Sequence, residues 1–562
     1  MDGGGGGGGG ALWCWWCLCG VVGFSLFLLV NLVYLLYPTW KLRHVPCPPY
    51  LWGIGHLPLM VKEQAQVFVR LAQEYGPIYR FHVGRQPLVI LADGELCRQL
   101  GIKHFKVASN RSIPAFIECA QVHKDGLFFS KDSQWTGMRN ILLPLFHSEQ
   151  MESFLPLLAR ILNNLTKNLS CCCNRDKDVN ISDLLHKFAL DVIGESAFGT
   201  RFNLLEDDKI SHLKHGGYHD PAAAVTPTPG AVVNPDQELV NQAVKSLDAL
   251  RMDSGAPAST IVGILYPILQ HPLRFFLTKI PGTADWVQET SNRKLVERLN
   301  NLQARRKREV DDDHHHKITR IDALSLLLTA CQANATSRNL LQDNFVSGLT
   351  YELLLAGSET TATTLSFAIY NISGSESVEE KLLQEIDAYG PIDSKVSLED
   401  LDKKFPYVEQ VLKETMRMFT TTPVVARELS EQLEIGGYLL PKGTAIWMAM
   451  IAIFKDPKNF PEPEEFRPER FDPDSEENRN RPPYSYFPFG IGPRTCIGYK
   501  FAMMEAKMAL IQIYRHFRLR RSPLMEHPLA LQFGMIVRPK NGVIVHVQHR
   551  QTDSPEQSQI HR

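Results

Sequence analysis

Residues 11–37, ALWCWWCLCGVVGFSLFLLVNLVYLLY, carry no charged side chain, and only Ser25 and Asn31 interrupt the apolar run. In hydrocarbon every backbone N–H and C=O must find its partner within the chain, so a single stretch of this kind crosses a membrane as a helix. About 20 apolar residues span a bilayer core, and 11–37 exceeds that with room for tilt. A cleaved leader has a basic start and a shorter apolar centre. Here Asp2 precedes the run, whereas Lys41, Arg43 and His44 follow it. The positive-inside rule puts the residues after the span in the cytosol, on an uncleaved single-pass anchor.

The rest of the 562 residues reads as an ordinary globular protein, with 60 basic side chains against 61 acidic ones. That balance offers no electrostatic footprint for nucleic acid. The eleven cysteines include three in the span (Cys14, Cys17, Cys19) and three adjacent ones (Cys171, Cys172, Cys173). This is no disulfide framework, in keeping with a reducing compartment. The glycine run within residues 1–10 is low-complexity and expected to be disordered. Prolines 46, 48 and 49 make residues 38–55 a stiff hinge between anchor and globular part.

IYRFHVGRQPLVILAD alternates apolar and polar residues about a Gly-Arg-Gln-Pro turn and predicts a hairpin. From about Gly126 to Phe202 the apolar spacing is helical. Residues 206–237 read as a flexible connection, and helical patterns resume near Gln237 and Asp285. The three histidines at 314–316 are read as a solvated loop, since sequence neighbours do not converge on one metal ion. NFVSGLTYELLLAGSETTATTLSFAIYNI predicts a long helix, apolar nearly all round and therefore buried.

The chemistry concentrates at FPFGIGPRTCIGYKF, residues 487–501. Cys496 precedes a strong helical pattern, where free backbone N–H groups and the helix dipole favour a thiolate. Gly490 and Gly492 permit tight turns and Pro493 fixes a dihedral. A thiolate held so rigidly could serve as a nucleophile, a zinc ligand or an axial ligand to haem iron. Zinc wants further Cys or His nearby, and a nucleophile wants a histidine base; the loop supplies neither.

FGIGPRTCIG resembles the cysteine loop of cytochrome P450, the haem-thiolate monooxygenases, position by position. The resemblance implies a mainly α fold with small β-sheets, preceded here by one transmembrane helix, with residues 56–548 as catalytic domain and 549–562 as a flexible tail. It implies haem b, with Cys496 as iron ligand and Phe489 beside it. Trp135 and Arg139 in WTGMR, Arg427 in PVVARE and Arg494 are implied as partners of the haem propionates. Glu414 and Arg417 in KETMR would lock with Arg470 in FRPERF behind the haem. AGSETT is similar to the family's oxygen-binding motif, in which Glu359 and Thr360 relay protons. The implied partners are dioxygen, an NADPH-cytochrome P450 reductase and a hydrophobic substrate, on the cytosolic face of the endoplasmic reticulum membrane.

YPTWKLRHVP, YGPIYRFHVGRQPLVI and KDPKNFPEPEEFRPERFDP are similar to one plant subfamily, the carlactone oxidases of strigolactone biosynthesis. That likeness implies oxidation of a carlactone methyl group to a carboxylic acid, with ring closure in some members. Substrate positions carried over from the family are the loop from about Arg111 to Leu127, Ala356, Gly357, Thr422 to Val425 (Val424 and Val425 among them), and Phe533 to Ile536 around Met535. Three stretches depart from the pattern: NISGSESVEEKL after the long helix, Phe454-Lys455, and HGGYHDPAAAVTPTPGAVVNP. The competing readings are oxidation of another hydrophobic terpenoid or lipid, a haem-thiolate isomerase or dehydratase that needs no reductase, and a non-catalytic haem-binding sensor or carrier.

Overall fold

Pro38 does not end the anchor. Helix α1 runs Gly8–Trp40, so Gly8 to Gly10, expected to be disordered, are helical and the hinge begins at Lys41. Elongating a nucleated helix gains one bond per residue fixed, and a proline in the last turn forfeits only one such bond. The computed structural model describes residues 8–113, 125–206, 257–312, 322–333 and 343–550. The expectations for 1–7, for most of the Arg111–Leu127 loop, for the 206–237 connection, the pattern near Gln237, the 314–316 histidines and the tail beyond Arg550 lie outside the described residues. Val21–Trp40 has a mean hydropathy of 2.0, and none of its described side chains is buried within the protein, so by length and composition this helix could cross a membrane.

The anchor meets the globular part at the predicted hairpin. Strands β1 (Ile78–Val83) and β2 (Gln86–Leu91) pair antiparallel from Ile78–Leu91 to Val83–Gln86. Gly84, at φ +59°, makes the turn. Arg85, next to it, donates to the Tyr34 carbonyl at 2.9 Å and stacks on the Tyr34 ring at 3.7 Å. In the hinge, the Pro46 carbonyl accepts from Arg80 N–H at 2.6 Å. Stiff prolines with such ties orient the anchor on the domain.

Helices α2 (Asp132–Leu142), α3 (Ser148–Asn174) and α4 (Ile181–Phe198) fill the predicted helical region. Helix α5 (Ala284–Asp312) follows, and the long apolar stretch forms α6 (Asp343–Ile372). α4 is buried along nearly its whole length against α6. A side chain on Gly357 would overlap Ile193 of α4, so this glycine serves a close helix crossing. Gly357 itself stays partly exposed, so the contact with α4 takes up only the side on which a Cβ would lie.

Helix α7 (Pro406–Met418) carries the KETMR pair. Strands β3 (Val425–Glu428) and β4 (Ala445–Met448) join the hairpin in one sheet ordered β1-β2-β4-β3. Helix α8 (Tyr499–His516) follows the cysteine loop, and a short hairpin of β5 (Leu531–Phe533) and β6 (Val537–Pro539) lies near the end. Order continues past residue 548, where the tail was expected: Arg550 N–H donates to the His516 carbonyl and its guanidinium pairs with Asp387 at 2.6 Å. NISGSESVEEKL forms the turn from α6 into the next helix, Glu376–Ala388, so that departure stays outside the core chemistry.

Candidate functional site

The cysteine loop is built by its own backbone. Cys496 N–H donates to the Phe489 carbonyl at 2.9 Å, and the Thr495 hydroxyl to the Gly490 carbonyl at 2.9 Å. Gly490 and Gly492 have φ of +81° and +73°, a region costly for residues with a Cβ. Any Cβ on Gly492 would also overlap the Gly101 carbonyl. The Phe489 ring lies 6.1 Å from that of Tyr499, at the first turn of α8. Cys496 lies deep among protein atoms, yet its side chain is reachable from one side. Burial pushes its thiol up, while the Gly498 N–H and the Arg111 and Arg139 guanidiniums act in the opposite sense.

Those two arginines belong to a group of four. Arg427 is fully buried on β3, on the same face as Val425, and among the described residues its guanidinium donates only to its neighbour's carbonyl, Ala426 O, at 2.9 Å. Its Nε and Nη2 are sealed from solvent without a partner, as is Nε of Arg111. Arg494 stacks on Trp135 at 4.1 Å and donates to the carbonyls of Ser109 (2.9 Å) and Ser130 (2.7 Å). Arg139 lies on α2 one turn beyond Trp135, 5.8 Å from its ring. Burial and mutual repulsion lower Arg494 to about 9, burial lowers Arg111 to about 10, and Arg427 falls well below its usual range. Among the described residues none of the four forms an ion pair with a carboxylate. Such a cluster needs an anion from elsewhere. Arg111 was read from sequence only as the edge of a loop; its place beside Arg494 is new.

Glu414, Arg417 and Arg470 do meet. Glu414 accepts from Arg417 at 2.7 and 2.9 Å and from Arg470 at 2.9 Å, with all three side chains fully buried. Arg417 donates onward to the Phe454 carbonyl at 3.0 Å, and Arg470 to the Pro461 carbonyl at 3.0 Å. Phe454 departs from the family pattern in its side chain, but the network uses only its backbone. Lys455 pairs with Glu464 at 3.1 Å.

On α6 the acid and the alcohol part company. Thr360 Oγ1 donates to the Ala356 carbonyl of the preceding turn at 2.7 Å. Glu359, next along, is buried against α4 and β6 and accepts from His186 and, at 2.7 Å, from Arg538. Burial alone would raise its carboxyl; the His186 and Arg538 cations overcome that and bring it down to about 2. The likeness implies that Glu359 relays protons with Thr360; the carboxylate that would do so is ionised and held by two cations. Neither His186 nor Arg538 was anticipated, since each lies far from α6 in sequence and only the packing of α4 and β6 on α6 brings it close.

Ala356 is exposed and Thr360 half-buried, one turn apart on α6. Val424 and Met535 are half-buried, and Val425 is buried at the start of β3. Val537 N–H donates to the Thr421 carbonyl at 2.8 Å, and Thr364 of α6 touches the Thr421 hydroxyl at 3.4 Å. The 421–425 segment, the 533–537 turn and the Ala356–Thr364 stretch are thereby drawn toward one region.

A family model described as cytochrome P450 matches residues 45–547. Cytochrome P450 3A6 of Oryctolagus cuniculus is 27% identical over 513 residues, covering 91% of this chain and 92% of the relative. Cytochrome P450 3A28 of Bos taurus is 28% identical over 479 residues, 84% of each. Cytochrome P450 4V2 of Pongo abelii is 30% identical over 518 residues, 89% of each.

Proposed function

Because this chain belongs to the cytochrome P450 family of haem b monooxygenases, we propose that it oxidises carlactone, a hydrophobic plant terpenoid, at a methyl group to the carboxylic acid, with ring closure as a further step. The likeness of residues 37–46, 75–90 and 455–473 to carlactone oxidases supports this substrate, as does the apolar set Ala356, Val424, Val425 and Met535. The apolar helix Val21–Trp40 and the cations after it support an anchor in the endoplasmic reticulum membrane with the domain in the cytosol. Electrons would come from NADPH through a separate reductase.

The residues present fit haem b. Cys496 Sγ, held by the loop and the Gly498 N–H, would ligate the iron. The unpartnered nitrogens of Arg427 and Arg111, with Arg139 and Trp135, suit the two propionates. When bound, haem supplies the iron at which dioxygen is activated, with a thiolate ligand favouring O–O cleavage. This chain contributes orientation and exclusion. Ala356 leaves the Thr360 region open, Thr360 holds its proton on the Ala356 carbonyl, and Glu359 keeps an ionised carboxylate clamped between His186 and Arg538.

That clamp favours one second reading, the isomerase or dehydratase, which needs no proton relay. Both are decided with microsomes containing this protein and a plant reductase. NADPH-dependent conversion of carlactone to an acid or ring-closed product, seen by mass spectrometry, supports the oxidase. Turnover without NADPH would support the isomerase. Intact carlactone beside a normal haem-thiolate spectrum would discard the substrate.

A further inference from the structure

Glu352 lies one turn before Ala356 on α6, and Gly348 one turn before that, so Gly348, Glu352, Ala356 and Thr360 form one stripe along the helix. Against its first two members sits the turn formed by Asp125 to Phe128. A Cβ on Gly348 would come within 2.7 Å of the Asp125 carbonyl carbon, and one on Gly126 would overlap Glu352 Oε2. Glu352 Oε1 accepts from Phe128 N–H at 2.6 Å. The side chain as a whole is half-buried, but Oε2 is sealed from solvent and finds no partner of adequate geometry.

From the other side the same turn is held by the cysteine loop. Arg494 reaches the Leu127 and Phe128 carbonyls at 3.4 Å each, and Arg111 stacks on the Phe128 ring at 3.8 Å. One short turn therefore has its N–H side on α6 and its C=O side on the loop of Cys496. We infer that Glu352 is a positioning residue that latches the Gly126–Phe128 turn onto α6 as one wall of the substrate side, and so sets the affinity for bulky apolar ligands. The inference rests on the Ala356–Thr360 face being that side.

The charged groups around the carboxylate are Arg111 and Arg494 opposite it and Asp125 on the turn itself. Burial pushes Glu352 up to about 7, with the backbone N–H groups and both arginines pulling the other way. Burial outweighs them, so the latched side chain holds its proton more tightly than a solvated one would. The latch is therefore firm below about pH 7 and loosens as pH rises through it.

The full chain, loaded with haem in detergent, is titrated with two azoles that report through the same spectral shift: clotrimazole, bulky and apolar, and imidazole, too small to touch the wall. Glu352→Leu and Gly126→Ala should each weaken clotrimazole roughly tenfold, the worth of one buried hydrogen bond, and leave imidazole unchanged. Glu352→Gln retains an acceptor without a titrating proton. Its clotrimazole affinity should match the parent's at pH 6 and exceed it at pH 8, the ratio cancelling the azole's own titration. Should Glu352→Leu fail to hold haem, the Gly126→Ala and Glu352→Gln arms decide. Equal clotrimazole affinities in all variants, or a Gln variant that follows the parent's pH profile, overturn the latch. Absence of a shift with either azole in the parent protein would instead refute the haem-thiolate reading.

Discussion

Replacing His186 by alanine removes one of the two cations that hold Glu359. The carboxylate is 2% exposed and cannot turn to water. Arg538 stays at 2.7 Å, so the loss is that of one charge-assisted bond, about 1.5–3 kcal/mol, below the about 3–5 kcal/mol of a buried charge left wholly unpaired. Against a domain stability of about 5–15 kcal/mol this is a large fraction. The effect carries a pH signature. Burial would lower the His186 imidazole, but the Glu359 carboxylate outweighs it and raises it above its usual value. A raised value means stabilisation fully present below about pH 6.5 and lost as pH rises through the folded-state value, by at most about 1.4 kcal/mol per unit for one proton. Asp183 beside it is pushed by burial up to about 6, so its ionisation costs stability as pH rises toward that value and adds little slope well above it. The assay is urea unfolding of the detergent-solubilised chain, followed by tryptophan fluorescence from pH 5.5 to 8.5. His186→Gln, which keeps a donor but no titrating proton, should lose the slope above pH 6.5. Parallel stability–pH curves for the parent and the Gln variant would refute the clamp.

Glu414→Ala strands two fully buried arginines and should cost about 3–5 kcal/mol; a urea midpoint equivalent to less than about 1 kcal/mol of loss would show the network to be dispensable. Gly492→Ala forces a Cβ onto the Gly101 carbonyl at a φ of +73°, with about 1–3 kcal/mol of backbone strain before the overlap is counted. It should sharply lower haem content per mole of purified protein, and full occupancy would contradict the rigid-loop account.

Much of this was legible in the sequence. Periodicity found α6 and α8, the Gly-Arg turn found the hairpin, and the order of residues around Cys496 named the family. Three features escaped. The close approach of α4 at Gly357 escaped because a glycine in a helix is ambiguous between space for a ligand and space for a neighbouring helix. The partners of Glu359 come from elements 173 and 179 residues away, beyond any local pattern. Glu352 was hidden in an apolar stretch, and its partners are backbone N–H groups of a turn far from it in sequence. Its one available signal was an acid four residues before Ala356 on the same helix face.

Cys496 as the thiolate ligand of haem is best tested by the reduced carbon-monoxide difference spectrum of the parent and of Cys496→Ala. The account predicts a thiolate-type Soret band in the parent and its complete loss in the variant. An unchanged thiolate-type band in Cys496→Ala would place the ligand elsewhere and contradict the account.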